Sequence, residues 1–414
     1  MVYEAVIKKN QREWGFRSRR ERQLSRQNTR IERAQGKVRR VRRLSEPFPC
    51  GATRARHAVA IVALGIALVL NPATNADDVS SVRLHLVQTV SLPGVEGRID
   101  HLAVDLPGRR LFLCALGNNT LEVIDLAKGT RVHSISGLGA PQGVAYVAAA
   151  NRLWVANDRN GICNFYDGKS FALGGSVNFE DDADNVRYDS LAQRIYVGFG
   201  DGGLGILDAR SGEKIGAIKL SGHPEAFVLE KKGTRIFVNV PTARHVAVID
   251  RDKREVAARW KTDGALANFP IAVDELNHRL FVGCRRPAEI VVLNTDSGTV
   301  VTKVRIGGDV DDVFYDAARH CLYAICGAGS VDVIDQVDRD TYKTSVRIPT
   351  ASGARTGLFV PELNSLFVAV PHHGKQGAEL RAYAIDFASS MFSARGVRCS
   401  RLTRFAPGPS NGAL

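Results

Sequence analysis

One oxygen-bearing side chain recurs in most repeats of this 414-residue chain: Asp100, Gln142, Asp184, Glu225, Asp311 and Thr356, with Phe269 filling the remaining position of the column. Beside them stand Arg98, His101, Asn185, His223, Asn268, Asp312 and Arg355. Gathered around one opening, two carboxylates about 8 Å apart repel by roughly 2 kcal/mol at an effective dielectric near 20. Four of them need compensation from Arg98 and Arg355, from protonated histidine, or from a bound cation. Oxygen donors favour a hard cation such as Ca²⁺ over zinc or copper, and Asp184, Glu225 and Asp311 are the residues that would hold it. Three outcomes fit these residue types: a hydrated channel with internal ion pairs, a ligand site, and a catalytic site. His372-His373 and Arg285-Arg286 fall in loops expected on the same face.

Other acidic residues have a structural explanation. Asp105, Asp189, Asp274 and Asp316 close one set of short apolar segments, and Asp125, Asp167, Asp208, Asp250 and Asp335 close another. An aspartate at a strand end accepts hydrogen bonds from the turn that follows, so Asx turns account for all nine. Several enzymatic signatures are absent: the sequence has no G-x-S-x-G elbow, no P-loop and no H-E-x-x-H.

The elements that must position the column are read from a repeat. The apolar-aromatic pair Leu111-Phe112 returns as Leu153-Trp154, Ile195-Tyr196, Ile236-Phe237, Leu280-Phe281, Leu322-Tyr323 and Leu366-Phe367, at intervals of 41 to 44 residues. A segment ending about six residues before each pair, such as "HLAVD" (101–105), "NVRYD" (185–189), "IAVD" (271–274) or "DVFYD" (312–316), reads as a strand. Another follows each pair, as in "LEVID" (121–125), "LGILD" (204–208), "VAVID" (246–250) and "VDVID" (331–335), and an outer one comes last, as in "KIGAIKL" (214–220). Four strands per unit without a 3.6-residue apolar period make a propeller blade. The seventh unit stops after its third strand, "LRAYAID" (380–386), and "RLHLVQTVSL" (83–92) supplies the missing outer one. The expectation is an all-β fold: a seven-bladed β-propeller of four-stranded blades, its ring closed by the N-terminal strand. The column at the start of the inner strands then rings the mouth of the central channel.

"NRLWVANDRN" (151–160) and "NNTLEVID" (118–125) resemble the repeat and its continuation in the YVTN or YncE-like β-propeller proteins. The resemblance spans roughly residues 82–386 and implies the propeller fold; many of these exported proteins have no assigned reaction. The repeat's asparagine is replaced by Phe199, Val240, Cys284 and Val370 in other units. The function expected is a binding or scaffold protein with a small molecule or protein at the channel mouth. The alternative is a hydrolase resembling propeller lactonases, in which Asp184, Glu225 and Asp311 hold a Ca²⁺-like cation and a carboxylate or His101 handles the proton.

Charge divides the chain into four parts. Residues 1–56 form a basic extension of net charge +12, and residues 57–76 carry no Asp, Glu, Lys or Arg. Residues 77–386, the expected propeller, sum to −3, while 387–414 form a basic tail with Arg395, Arg398, Arg401 and Arg404, expected to be disordered. The propeller therefore lacks the positive field that a phosphate backbone requires, and nucleic acid is not an expected partner.

The apolar run "AVAIVALGIALVL" (58–70), preceded by Arg54 and Arg56 and followed by Thr74 and Ala76 at −3 and −1, reads as a secretory signal peptide cleaved after Ala76. Thirteen residues at about 1.5 Å each span about 20 Å, short of a bilayer core, so no integral membrane association is expected after cleavage. The long basic lead suggests a start at Val38, Val41 or Leu44, and Arg42-Arg43 allow twin-arginine export. The expected location is periplasmic or secreted, and the expected state monomeric. Cys114, Cys163, Cys284, Cys321, Cys326 and Cys399 follow Ala76 with no CxxC spacing, and no disulfide framework is expected.

Overall fold

The computed structural model describes residues 82–387. The basic extension, the apolar run with its cleavage site, Cys399 and the basic tail lie outside the described residues.

Within 82–387 the chain forms seven sheets of four antiparallel strands, a seven-bladed β-propeller. Blade 1 shows the plan: inner strand Leu102–Asp105, second Arg110–Ala115, third Thr120–Asp125 and outer Thr130–Ile135. The helical structure among the described residues is four single 3₁₀ turns. In blade 7 the inner, second and third strands are Gly357–Val360, Ser365–Val370 and Glu379–Phe387, and the outer strand is Val82–Ser91 from the other end of the chain. Its ladder runs antiparallel from Val82 opposite Phe387 to Ser91 opposite Glu379, with one irregularity between Leu86 and Gln88. This join closes the ring.

Why the second strands read as unbroken apolar runs follows from the packing. Successive side chains of a strand point to opposite faces, and in a propeller both faces of a blade lie against neighbours. Leu111, Leu113 and Ala115 enter the core between blades 7 and 1, while Phe112 and Cys114 enter the core between blades 1 and 2. The seven clusters of buried residues are the seven interfaces between blades. The recurring aromatic meets a ring from a neighbouring inner strand: Phe112 with Tyr146 at 5.5 Å, Phe281 with Tyr315 at 5.3 Å and Tyr323 with Phe359 at 5.2 Å between centroids. The described cysteines, Cys114, Cys163, Cys284, Cys321 and Cys326, are buried free thiols.

Eight of the nine turn aspartates hold their turns. Asp125 Oδ1, for example, accepts the N–H groups of Ala127 and Lys128 at 2.9 Å, and Asp189 Oδ1 those of Leu191 and Ala192 at 3.1 Å. Asp335 is the exception. Its strand runs on to Gln336, so the turn passes to Asp338, which accepts from Asp340 and Thr341 at 2.8 Å, while Asp335 accepts the Ser345 hydroxyl.

Candidate functional site

The column reaches the channel because the inner strands lose their regular ladder where it sits. Pairing with the second strand is irregular between Pro141 and Val144, Ala183 and Val186, Asn268 and Ile271, and Val310 and Asp312. Such a bulge frees side chains from the alternating pattern and re-aims them. Gln142, Asp184, Asn185, Phe269 and Asp311 all lie within these stretches. In blades 1 and 4 the strand starts later, and Asp100 and Glu225 are held by N–H bonds to Cys114 O at 2.7 Å and Asn239 O at 3.0 Å. Arg98 is set by a close backbone approach: Gly117 N–H donates to Arg98 O at 2.8 Å, and a Cβ at Gly117 would stand 2.7 Å from Arg98 N.

Arg98, Asp100, His101, Gln142, Asp184, Asn185, Glu225, Phe269 and Asp311 surround one small space of about 10 Å³ at the channel mouth. That admits about one water-sized group. The carboxylates around it are largely compensated from within. Arg98 Nη2 stands 2.6 Å from Asp100 and 3.9 Å from Asp311; Arg285 Nη2 bonds Asp311 Oδ1 at 2.5 Å while its guanidinium lies 3.8 Å from the Phe269 ring centroid. His101 sits between Asp100 at 3.6 Å and Asp312 at 3.7 Å. His223 Nδ1 bonds Gly200 O at 2.7 Å, and its ring lies 3.5 Å from Asp182 and 3.6 Å from Asp184. Asp312 also accepts the Gly357 N–H at 2.8 Å, so the network spans blades 1, 5, 6 and 7.

Three buried oxygens of residues that line this space accept no hydrogen bond: Asp100 Oδ2, Asn185 Oδ1 and Asp311 Oδ2. Their residues are 1%, 2% and 9% exposed. Arg98 approaches Asp100 Oδ2 without hydrogen-bond alignment. Buried acceptors without donors are costly, and a group that donates to them is favoured.

Three expected site residues, Asn268, Arg355 and His223, do not line this space. Asn268 is fully buried in the blade 4–5 junction, where Nδ2 donates to Asn239 Oδ1 at 3.0 Å and His245 O at 3.1 Å. Arg355 pairs with Asp309 at 3.1 Å at the flank; the compensation assigned to it comes from Arg285. His223 acts on the carboxylates from beside the space. His372 pairs with the exposed Glu96 at 2.8 Å, and His373 closes a turn with Gln376. Asp182, Asp309 and Arg187 belong to the channel's charge system without having been expected there.

The proposed cation ligands do not fit a resident metal. Asp184, Glu225 and Asp311 line the same space, yet among the described residues no three His, Cys, Asp or Glu side chains converge closely enough to hold an ion. Asp311 is engaged with Arg285 instead.

Burial governs the titration of the mouth. It raises Asp100 to about 7 against the pull of His101 and Arg98, Asp182 to about 7, and, with Asp184, Glu225 to about 8. It opposes charging of His101, but Asp100 and Asp312 outweigh it and raise the ring to about 9; Asp184 and Asp182 do the same for His223, also to about 9. Raised histidines stabilise the fold fully below about pH 6.5 and lose that contribution as pH rises through about 9. Raised carboxyls act in the same direction, because the folded chain binds more protons than the unfolded one between about pH 4 and 8. The melting temperature is therefore expected to fall from pH 6 to pH 9. Glu225→Gln is expected to flatten that slope and raise the melting temperature at pH 8.5; scanning calorimetry across this range checks both, and a stability rising toward pH 9 would contradict them.

Compared with models of known protein families and with curated proteins, the chain matches none.

Proposed function

We propose that this chain is an exported, YVTN/YncE-like propeller that works as a binding or scaffold protein, taking one hydrogen-bond-donating group of a small molecule or partner protein into its channel mouth. The observation that carries this reading is a pair of buried oxygens without a hydrogen-bond donor, Asn185 Oδ1 and Asp311 Oδ2, on residues that line one small space, beside Asp100 Oδ2, which meets Arg98 at 2.6 Å. A small donor such as an ammonium tip matches those acceptors. The balance of −3 over residues 77–386 supports a partner other than nucleic acid. Export rests on the apolar run at 58–70 and on the family resemblance. The lactonase-like alternative needs a cation on Asp184, Glu225 and Asp311, and the ion pairing of Asp311 does not favour it.

A thermal-shift panel tests the reading: methylammonium, butane-1,4-diamine, N-methylguanidinium, Ca²⁺ and a chelator, against the wild-type chain and Asp100→Asn. The expected result is a saturable rise in melting temperature with an organic cation, lost in the variant, with no response to Ca²⁺ or chelator. Stabilisation by Ca²⁺ reversed by the chelator would move the balance to the metal reading. No response to any compound would remove the mouth as a binding site.

A further inference from the structure

The channel has a second chamber at its other end. The inner strands of blades 3 to 7 enclose a cavity of about 460 Å³ that opens between the turns carrying Lys231, Lys232, Glu275 and Leu276. Its walls include Phe227, Val228, Ile271, Val273, Phe314 and Phe359. Its lining carries the carboxylates of Asp312 and Asp274 and one guanidinium at the inner end, Arg187, three residues beyond Asp184 on the inner strand of blade 3 (Ala183–Asp189) and so about 10 Å deeper at 3.3 Å per residue.

Arg187 is short of partners. Its guanidinium donates once, to Val186 O at 2.9 Å, lies 5.6 Å from the Phe227 ring centroid, and forms no ion pair among the described residues. The nearby Asp312 is engaged with His101 at 3.7 Å and with the Gly357 N–H at 2.8 Å. A guanidinium offers five N–H donors in a fixed fork that matches a carboxylate, so most of its capacity is open to the chamber. Burial disfavours its charged form and pushes its pKa down, a strain that a bound anion relieves.

We propose that this chamber is a binding site for a small amphipathic monocarboxylate, with the carboxylate on Arg187 and an aliphatic or aromatic body against the apolar walls. The volume is that of sites for molecules of such size. The exposed Lys231 and Lys232 at the rim draw anions toward the opening, and the charge of Glu275 there is partly spent on their backbone N–H groups at 2.6 and 3.0 Å. This site adjoins the mouth through Asp312, which also faces His101, but at the mouth the open groups are acceptors.

Calorimetric titration of the whole chain with 3-phenylpropanoate and octanoate tests the proposal, with 3-phenylpropanamide and inorganic phosphate as comparisons. Binding of at least one carboxylate with 1:1 stoichiometry is expected, at least tenfold tighter than the amide and than phosphate. Arg187→Met, verified as folded by circular dichroism, is expected to lose at least tenfold in carboxylate affinity. Should that variant fail to fold, the wild-type comparison decides alone. Absence of carboxylate binding, an amide that binds as tightly, phosphate that binds as tightly, or a folded Arg187→Met variant with unchanged affinity would each overturn the assignment.

Discussion

Arg285→Ala is expected to lower stability by about 3–5 kcal/mol at pH 8, because it leaves Asp311 charged, 9% exposed and without its 2.5 Å partner. For a domain of this size that is on the order of 10 °C in melting temperature. What remains near Asp311 is Arg98 at 3.9 Å, too distant to replace a direct hydrogen bond. The sign of the pH effect follows. Burial already raises Asp311, and Arg285 is the first group that lowers it, so the variant carboxyl rises further. The loss is then greatest in alkali and shrinks as the pH falls and Asp311 takes up a proton. Adding Asp311→Asn to Arg285→Ala is expected to recover much of the loss. Urea unfolding of the two single variants and the double variant measures the coupling, and a cost for Arg285→Ala below about 1 kcal/mol would mean that the pair is no more than a surface contact.

Val90→Asp is expected to unfold the ring or to cost at least about 4 kcal/mol, since it places a carboxylate among Leu92, Leu111 and Leu380 at the junction of blades 7 and 1. Val90 is 3% exposed and stands opposite Leu380 in the closing ladder. Val87 lies on the same strand, at the irregularity between Leu86 and Gln88, and is 55% exposed. Val87→Asp is expected to change stability by no more than about 0.5 kcal/mol. Soluble yield and denaturant midpoint separate the two variants. Equal behaviour would mean that Val82–Ser91 does not close blade 7.

The blades and their closure were legible in the sequence for a physical reason. Each blade buries both faces, so its second strand is an apolar run with an aromatic at a fixed place, and the packing unit recurs as a period near 42 residues. A seventh unit lacking an outer strand needs a donor, and only one strand-like segment was left over. The mouth column was legible because the bulges that turn Gln142, Asp184 and Asp311 toward the channel recur with the same period.

The misplacements arise where one residue decides the face. Asn268 and Phe269 are neighbours, but within the same bulge the ring meets Arg285 and the amide enters the blade junction. Which arginine compensates Asp311 depended on loop geometry: Arg285 extends from the end of a long second strand (Arg279–Arg286), while Arg355 reaches Asp309. Asp335 was misread because its strand runs to Gln336. Arg187 sits in "NVRYD", where the strand pattern is ordinary and nothing announces that the channel widens beside it.

We propose that the mouth selects a donor through particular acceptors and not through its overall charge. Asn185→Leu addresses it most directly, since it removes one orphan acceptor and leaves every charge in place. Calorimetric titration of butane-1,4-diamine or N-methylguanidinium at pH 7 is expected to give a single saturable site in the wild-type chain and at least tenfold weaker binding in Asn185→Leu. Equal affinity in the two chains, or no saturable heat in the wild type, would contradict the account.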